Sequence, residues 1–119
     1  MQNSPKNLYK KFLGLKGEKQ AELRLKSLGY KILKRNYVTP FGEADLVCEF
    51  QGGLVFVEVK TRTTLKFGTP AQAVGRIKQK KYRQIAEFYL KSNGLDDVLV
   101  SFAVVEVFND DINIITDAF

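Results

Sequence analysis

GEADLVCEFQGGLVFVEVKTR, residues 42–62, decides how this chain is read. Its two apolar stretches are rich in the β-branched and aromatic residues that fit a pleated sheet, and Gly52-Gly53 between them offers the tight turn of a hairpin. In the second stretch Phe56, Val57 and Val59 suit burial, yet Glu58 and Lys60 stand among them, two residues apart and so on one face. With Gly52 and Gly53 as the loop, Asp45 lies opposite Lys60, Val47 opposite Glu58 and Glu43 opposite Arg62. Alternation then puts Glu43, Asp45, Glu58, Lys60 and Arg62 on one face. The other carries Ala44, Leu46, Cys48, Val55, Val57 and Val59 as core.

Outward from the hairpin, Ala21, Leu25 and Leu28 recur at helical spacing in a helix from Gly17, and Gly29 stands where a C-terminal cap belongs. A strand over residues 30–38 and the loop Thr39-Pro40-Phe41-Gly42 lead into the hairpin. Residues 63–70 read as a loop, with Gly68, Thr69 and Pro70 shaping the start of a long helix from Ala71 to Asn93-Gly94. That helix would bury Val74, Ile77, Ile85 and Tyr89. Two further strands, near 98–107 and 112–115, complete an α-β-β-β-α-β-β order, an α/β domain around a mixed sheet. Residues 1–14 read as a basic N-terminal arm or a short helical turn, and residues 15–119 as one domain.

Composition narrows the chemistry. There is no histidine and one cysteine, Cys48, which excludes an intramolecular disulfide, Ser-His and Cys-His catalysis, and the usual zinc ligand sets. Cys48 falls on the apolar face and reads as a small core residue. No apolar run approaches the roughly 18 residues of a membrane helix, and the opening stretch is not a secretory signal, so a cytoplasmic protein is expected. Residues 1–91 carry all nineteen bases and seven acids, and residues 92–119 carry six acids and no base. That asymmetry suits a nucleic-acid partner, although simple solubility accounts for it equally well.

Two readings of the charged face compete. Cross-strand pairs such as Asp45–Lys60 on a solvated sheet are common and worth only about 0–1 kcal/mol each, and an acid at Glu18 suits the first turn of a helix. However, interior strands are covered, and a helix stripe aimed at the sheet would point Glu18 at Asp45 and Glu58. Carboxylates converging on a lysine need a cation. Carboxylate oxygens suit Mg²⁺, with Mn²⁺ as its substitute, leaving positions for water and phosphate oxygens. Lys60 can orient or deprotonate the attacking water. On the second helix Arg76, Lys78, Lys80, Lys81 and Arg83, with Gln79 among them, can track a nucleic-acid backbone, or form a solvated basic face. Tyr82 can stack on a base or pack.

Asp45 on one strand and Glu58-Val59-Lys60 on the next resemble the second and third motifs of the PD-(D/E)xK nuclease superfamily. With KGEKQAELRLKSLGYKILKRNY, FGEADLV, VFVEVKTR and FGTPAQAVGRIKQKKYRQIAEFYL, the chain is similar to the YraN-like family of predicted bacterial endonucleases, related to archaeal Holliday-junction resolvases. The resemblance runs from Gly17 to Leu90 and more weakly to Val107. It implies a restriction-endonuclease-like fold and a Mg²⁺-dependent DNA endonuclease acting on branched or structured DNA, with a non-catalytic nucleic-acid-binding protein on the same fold as the alternative. Glu18, Asp45, Glu58 and Lys60 are then the catalytic set. Metal would be held by Asp45, Glu58 and the Val59 backbone carbonyl, with Glu18 as a further candidate and Glu43 auxiliary. Arg62 joins the helix bases as a nucleic-acid contact. The chain departs from the family's frequent Arg-Phe-Asp at Ser101-Phe102-Ala103. Paired cleavage would call for a homodimer.

Overall fold

The computed structural model describes residues 5–62 and 75–119. Its elements are α1 (Pro5–Ser27), β1 (Lys31–Thr39), β2 (Gly42–Phe50), β3 (Gly53–Arg62), α2 (Arg76–Ser92), β4 (Val100–Phe108) and β5 (Asp111–Ile115). The expected element order holds. The five strands form one sheet in the order β1-β2-β3-β4-β5, with β3–β4 parallel and the other neighbours antiparallel. The parallel pair follows from the crossover that carries α2, and it makes β2 and β3 interior.

Helix α1 begins at Pro5, so residues 5–14 are continuous with the helix read from Gly17. It ends in a Schellman motif: the Tyr30 amide donates to Leu25 and the Gly29 amide to Lys26, with Gly29 at φ 98°. Leu28, expected in the buried stripe, lies in this turn and is exposed, and Ala21 and Leu25 alone of the three are buried. Helix α2 starts at Arg76 with extended Gly75 as its cap. Its buried stripe is Tyr82, Ile85, Ala86 and Tyr89, and Ile77, expected there, is exposed. Residues 63–74, with the expected loop, the helix start and Val74, lie outside the described residues.

The hairpin departs from its expected register. The turn is Gln51-Gly52, both at positive φ as a type I′ turn requires, and Phe50 faces Gly53. Leu46 therefore pairs with Val57 and Val47 with Phe56, two residues away from the expected pairing. Gly53 is needed inside the strand, where a Cβ would come within 3.1 Å of the Leu99 carbonyl. An even shift leaves each paired side chain on its face, but the pairing ends at Leu46–Val57, so Asp45 and Lys60 are not cross-strand partners.

Both faces of the sheet are core, which corrects the expectation of one apolar and one charged face. On the α1 side Ala21 and Leu25 meet Leu46, Cys48, Val55, Val57, Ala103 and Val105. On the α2 side Tyr82, Ile85, Ala86 and Tyr89 meet Ala44, Val47, Leu54, Phe56 and Phe102. Ala44 and Leu46, expected on one face, thus belong to opposite cores, so β2 turns over at Asp45. The sheet stays paired around this point through β1, where Asn36 takes φ 49°.

Candidate active site

Where β2 turns over, its regular pairing with β3 ends at Leu46–Val57. Past that point the Val59 amide donates to Asp45 Oδ2 at 2.7 Å, a side chain supplying an acceptor to a backbone donor. The bond fixes the Asp45 carboxyl beside Glu58.

Glu58 is 5% exposed, an acid almost wholly withdrawn from water. A buried carboxylate requires donors, and it has three. Lys78 of α2 donates to Oε1, Lys60 Nζ lies 3.3 Å from the same oxygen, and the buried Tyr82 hydroxyl donates to Oε2. Burial raises the Glu58 pKa, but the bonds from Lys78 and Tyr82 and the lysine charges outweigh it, so the group is held below the usual carboxylate range. Asp45 behaves in the opposite way. Burial, then the Glu58 charge, then Glu18 push it up to about 7 against the Val59 amide and Lys78. The adjacent carboxyls are driven apart because Lys60, Lys78 and Tyr82 all bond Glu58, whose charge then bears on Asp45.

Glu18 arrives from α1 and depends on Gly17. A Cβ there would stand 2.1 Å from Thr61 Oγ1, so only glycine lets the helix lie this close to β3. Burial first, then the Glu43 and Glu58 charges, raise the Glu18 pKa. Glu18, Glu22, Arg35 and Asp45 line one cavity of about 170 Å³. Glu22 and Arg35 form a two-pronged ion pair that docks α1 on β1, and this bond holds the Glu22 pKa down. Glu43 is exposed.

The structure thus sets Lys60 on Glu58, Asp45 on the adjoining Val59 amide and Glu18 in one cavity with Asp45, and adds two groups whose part the sequence reading missed. Lys78, assigned to phosphate tracking, sits on Glu58 instead. Tyr82, weighed as a stacking residue, is 1% exposed and hydrogen-bonded to Glu58, so no base can lie on it. The available signal was their spacing: four apart on a helix, they face the same side. Of the other expected nucleic-acid contacts, Arg76, Lys80 and Lys81 are exposed and Gln79 is half-buried. Arg83 lies over the rings of Phe102 and Phe119 at 5.9 and 5.8 Å, a cation–π arrangement. Arg62 bonds Glu106 across β3 and β4 at 3.2 Å. Ala103, where the related pattern often has an acid, is buried in the α1-side core. Burial pushes the Cys48 thiol up to about 12, which leaves it inert.

The donors suit a hard divalent ion because all are oxygens, though a cation at Glu58 has to compete with Lys60 and Lys78. Among the described residues, however, no three such side chains form a ready cage. Mg²⁺ needs only one or two carboxylates and keeps several waters, so Asp45 and Glu58 are the residues that could hold one, with the Val59 carbonyl between Glu58 and Lys60 on the same strand.

Residues 17–107, from the glycine that admits α1 to the end of the β4 core, match the model of the uncharacterised protein family UPF0102. This chain belongs to that family. It is 40% identical over 116 residues to a UPF0102 protein of Caldicellulosiruptor saccharolyticus, covering 92% of this chain and 98% of that one. It is 46% identical over 111 residues to one from Syntrophomonas wolfei, covering 90% and 96%. A third, from Caldanaerobacter subterraneus, is 42% identical over 103 residues, covering 87% and 84%. The family therefore spans the whole candidate site. No helix among the described residues is long and apolar enough to cross a membrane.

Proposed function

We propose that this UPF0102 protein is a divalent-metal-dependent DNA endonuclease that hydrolyses phosphodiester bonds. The observation that carries the reading is the pair of adjacent carboxyls, buried Glu58 bonded by Lys60 and Lys78 and half-buried Asp45 fixed beside it by the Val59 amide. An ion pair with Lys60 and Lys78 accounts for Glu58 but not for a second carboxyl set beside it.

Asp45, Glu58 and the Val59 carbonyl would hold Mg²⁺ or Mn²⁺, with Glu18 in support and Glu43 at the margin. When bound, such an ion polarises a phosphoryl oxygen and acidifies water. The remaining work belongs to this chain. The Val59 amide holds Asp45, and Tyr82 holds Glu58 Oε2 from a fixed place in the core. Lys60, whose side chain is 26% exposed, reaches solvent from the same strand and can orient the attacking water or meet the charge that develops on phosphate. Arg76, Lys80 and Lys81 present exposed cations beyond the site to the strand's phosphates. Branched or structured DNA as the substrate, a relation to archaeal resolvases, action as a homodimer and a cytoplasmic setting are carried by the sequence reading. The exposed bases of α2 equally suit a nucleic-acid-binding protein without turnover.

A cleavage panel of linear, flap and four-way-junction DNA with Mg²⁺ or Mn²⁺ tests the proposal. Cation-dependent cutting of one member, lost in Lys60→Ala while DNA affinity persists, is the expected outcome. Tight, salt-sensitive binding with no cutting of any member leaves the binding protein instead.

A further inference from the structure

Three donors share the Glu58 carboxylate, and they differ in their freedom to leave it. Tyr82 is locked, with its ring edge-on to both Phe102 and Phe119. Lys60 rises from an interior strand whose backbone is paired to Glu106 on β4. Lys78 stands in the first turn of α2 with its side chain 40% exposed. It also lines a cavity of about 480 Å³ together with Gly42, Glu43, Ile77 and Lys81. It is the donor with somewhere to go. Two ammonium groups already share one oxygen of Glu58, and a divalent cation drawn to that oxygen would meet their combined repulsion.

We infer that Lys78 is an exchangeable counter-ion. It holds the Glu58 charge until a divalent cation binds. It then swings into the cavity between α2 and β2, where its ammonium and that of Lys81 form a seat for a phosphate of the nucleic-acid strand. This rests on the metal-site reading above. It gives the site an order: cation binding frees the cation that grips the strand, so the two ligands favour each other. Lys78 thereby becomes a positioning residue at the cleavage site, in contrast to the exposed Arg76 and Lys80.

Mn²⁺ binding followed by the paramagnetic resonance of the free ion tests the exchange. Lys78→Gln is expected to tighten Mn²⁺ binding by about tenfold, within the usual range of site-to-site coupling. Lys81→Gln removes an equal charge one turn along the cavity and is expected to change it less than about threefold. In unsubstituted protein, ¹⁵N-resolved ammonium spectra should show Lys78 losing its ion-paired signal as Mg²⁺ is added, while Lys60 keeps its own. With Ca²⁺ as the cation, oligonucleotide affinity should rise in the unsubstituted protein and stay flat in Lys78→Gln. Mn²⁺ affinity that is unchanged or weakened in Lys78→Gln, or a Lys78 signal that persists at saturating Mg²⁺, overturns the exchange and leaves the metal site standing. Absence of Mn²⁺ binding in both proteins removes the metal site and the exchange together.

Discussion

The two halves of β3 are built on opposite terms. From Leu54 to Val57 every side chain is buried in one of two apolar cores, and each has a partner across β2. From Glu58 to Arg62 the strand carries an acid and two bases, the regular pairing with β2 has stopped, and the Asp45 side chain takes a backbone bond. The first half fixes the strand. The second is held in place by it and crowds buried and half-buried charges together, which is how a site acquires groups with displaced pKa values. Stability and chemistry are thus adjacent on one strand, and substitutions should separate them.

The largest effect is expected at the charged half. Lys60→Ala should lower the single-turnover cleavage rate by about 10²–10⁴-fold, the usual worth of a positioned acid–base group, while thermal unfolding moves little. Phe56→Ala, two residues before Glu58, should do the reverse: a loss of about 3–5 kcal/mol in denaturant unfolding, with cleavage per folded molecule nearly preserved. A stability loss from Lys60→Ala as large as that from Phe56→Ala would erase the distinction between the halves.

The pH dependence of stability sharpens it further. Asp45 binds its proton more tightly folded, at about 7, than its ordinary value of 3.8. Between those values the native state holds more protons than the unfolded one, so stability should fall as pH rises from about 4 to about 7. Asp45→Asn should flatten that slope and be the more stable protein at pH 8, by at most about 4 kcal/mol at 1.36 kcal/mol per unit. Unfolding curves across this range check it. Stability that climbs with pH through the same window would contradict the crowding of the carboxyls.

Gly17→Ala has a smaller expected effect. In an exposed helix this change stabilises by roughly 0.5–1 kcal/mol. Here it should destabilise instead, because the added carbon meets Thr61. The smallest effect belongs to the exposed bases outside the Lys78–Lys81 cavity. Arg76→Ala with Lys80→Ala should flatten the slope of log affinity against log salt by up to about two units, with cleavage at saturating protein nearly unchanged.

How much of this was legible follows from which signals alternation carries. Hydrophobic period placed all five strands and both helices, and put Asp45, Glu58 and Lys60 at the site. It could not choose between turns at Gln51-Gly52 and Gly52-Gly53, because a shift of two residues preserves every face. The choice rests on crowding at Gly53 from Leu99, a neighbour distant in sequence. Nor could alternation show that β2 changes face at Asp45, since that depends on β1 twisting with it at Asn36. Lys78 was read as one base among five because charge runs look alike on paper. Its difference comes from standing one turn before Tyr82, over Glu58.

The most direct test of the charged half is thermal unfolding at pH 8 with and without Mg²⁺, for the unsubstituted protein and for Asp45→Asn. If the carboxyls form a cation site, Mg²⁺ at a hundredfold excess over its dissociation constant should stabilise the unsubstituted protein by about 2.7 kcal/mol and leave Asp45→Asn where it was. No shift in the unsubstituted protein, or an equal shift in both, would contradict it.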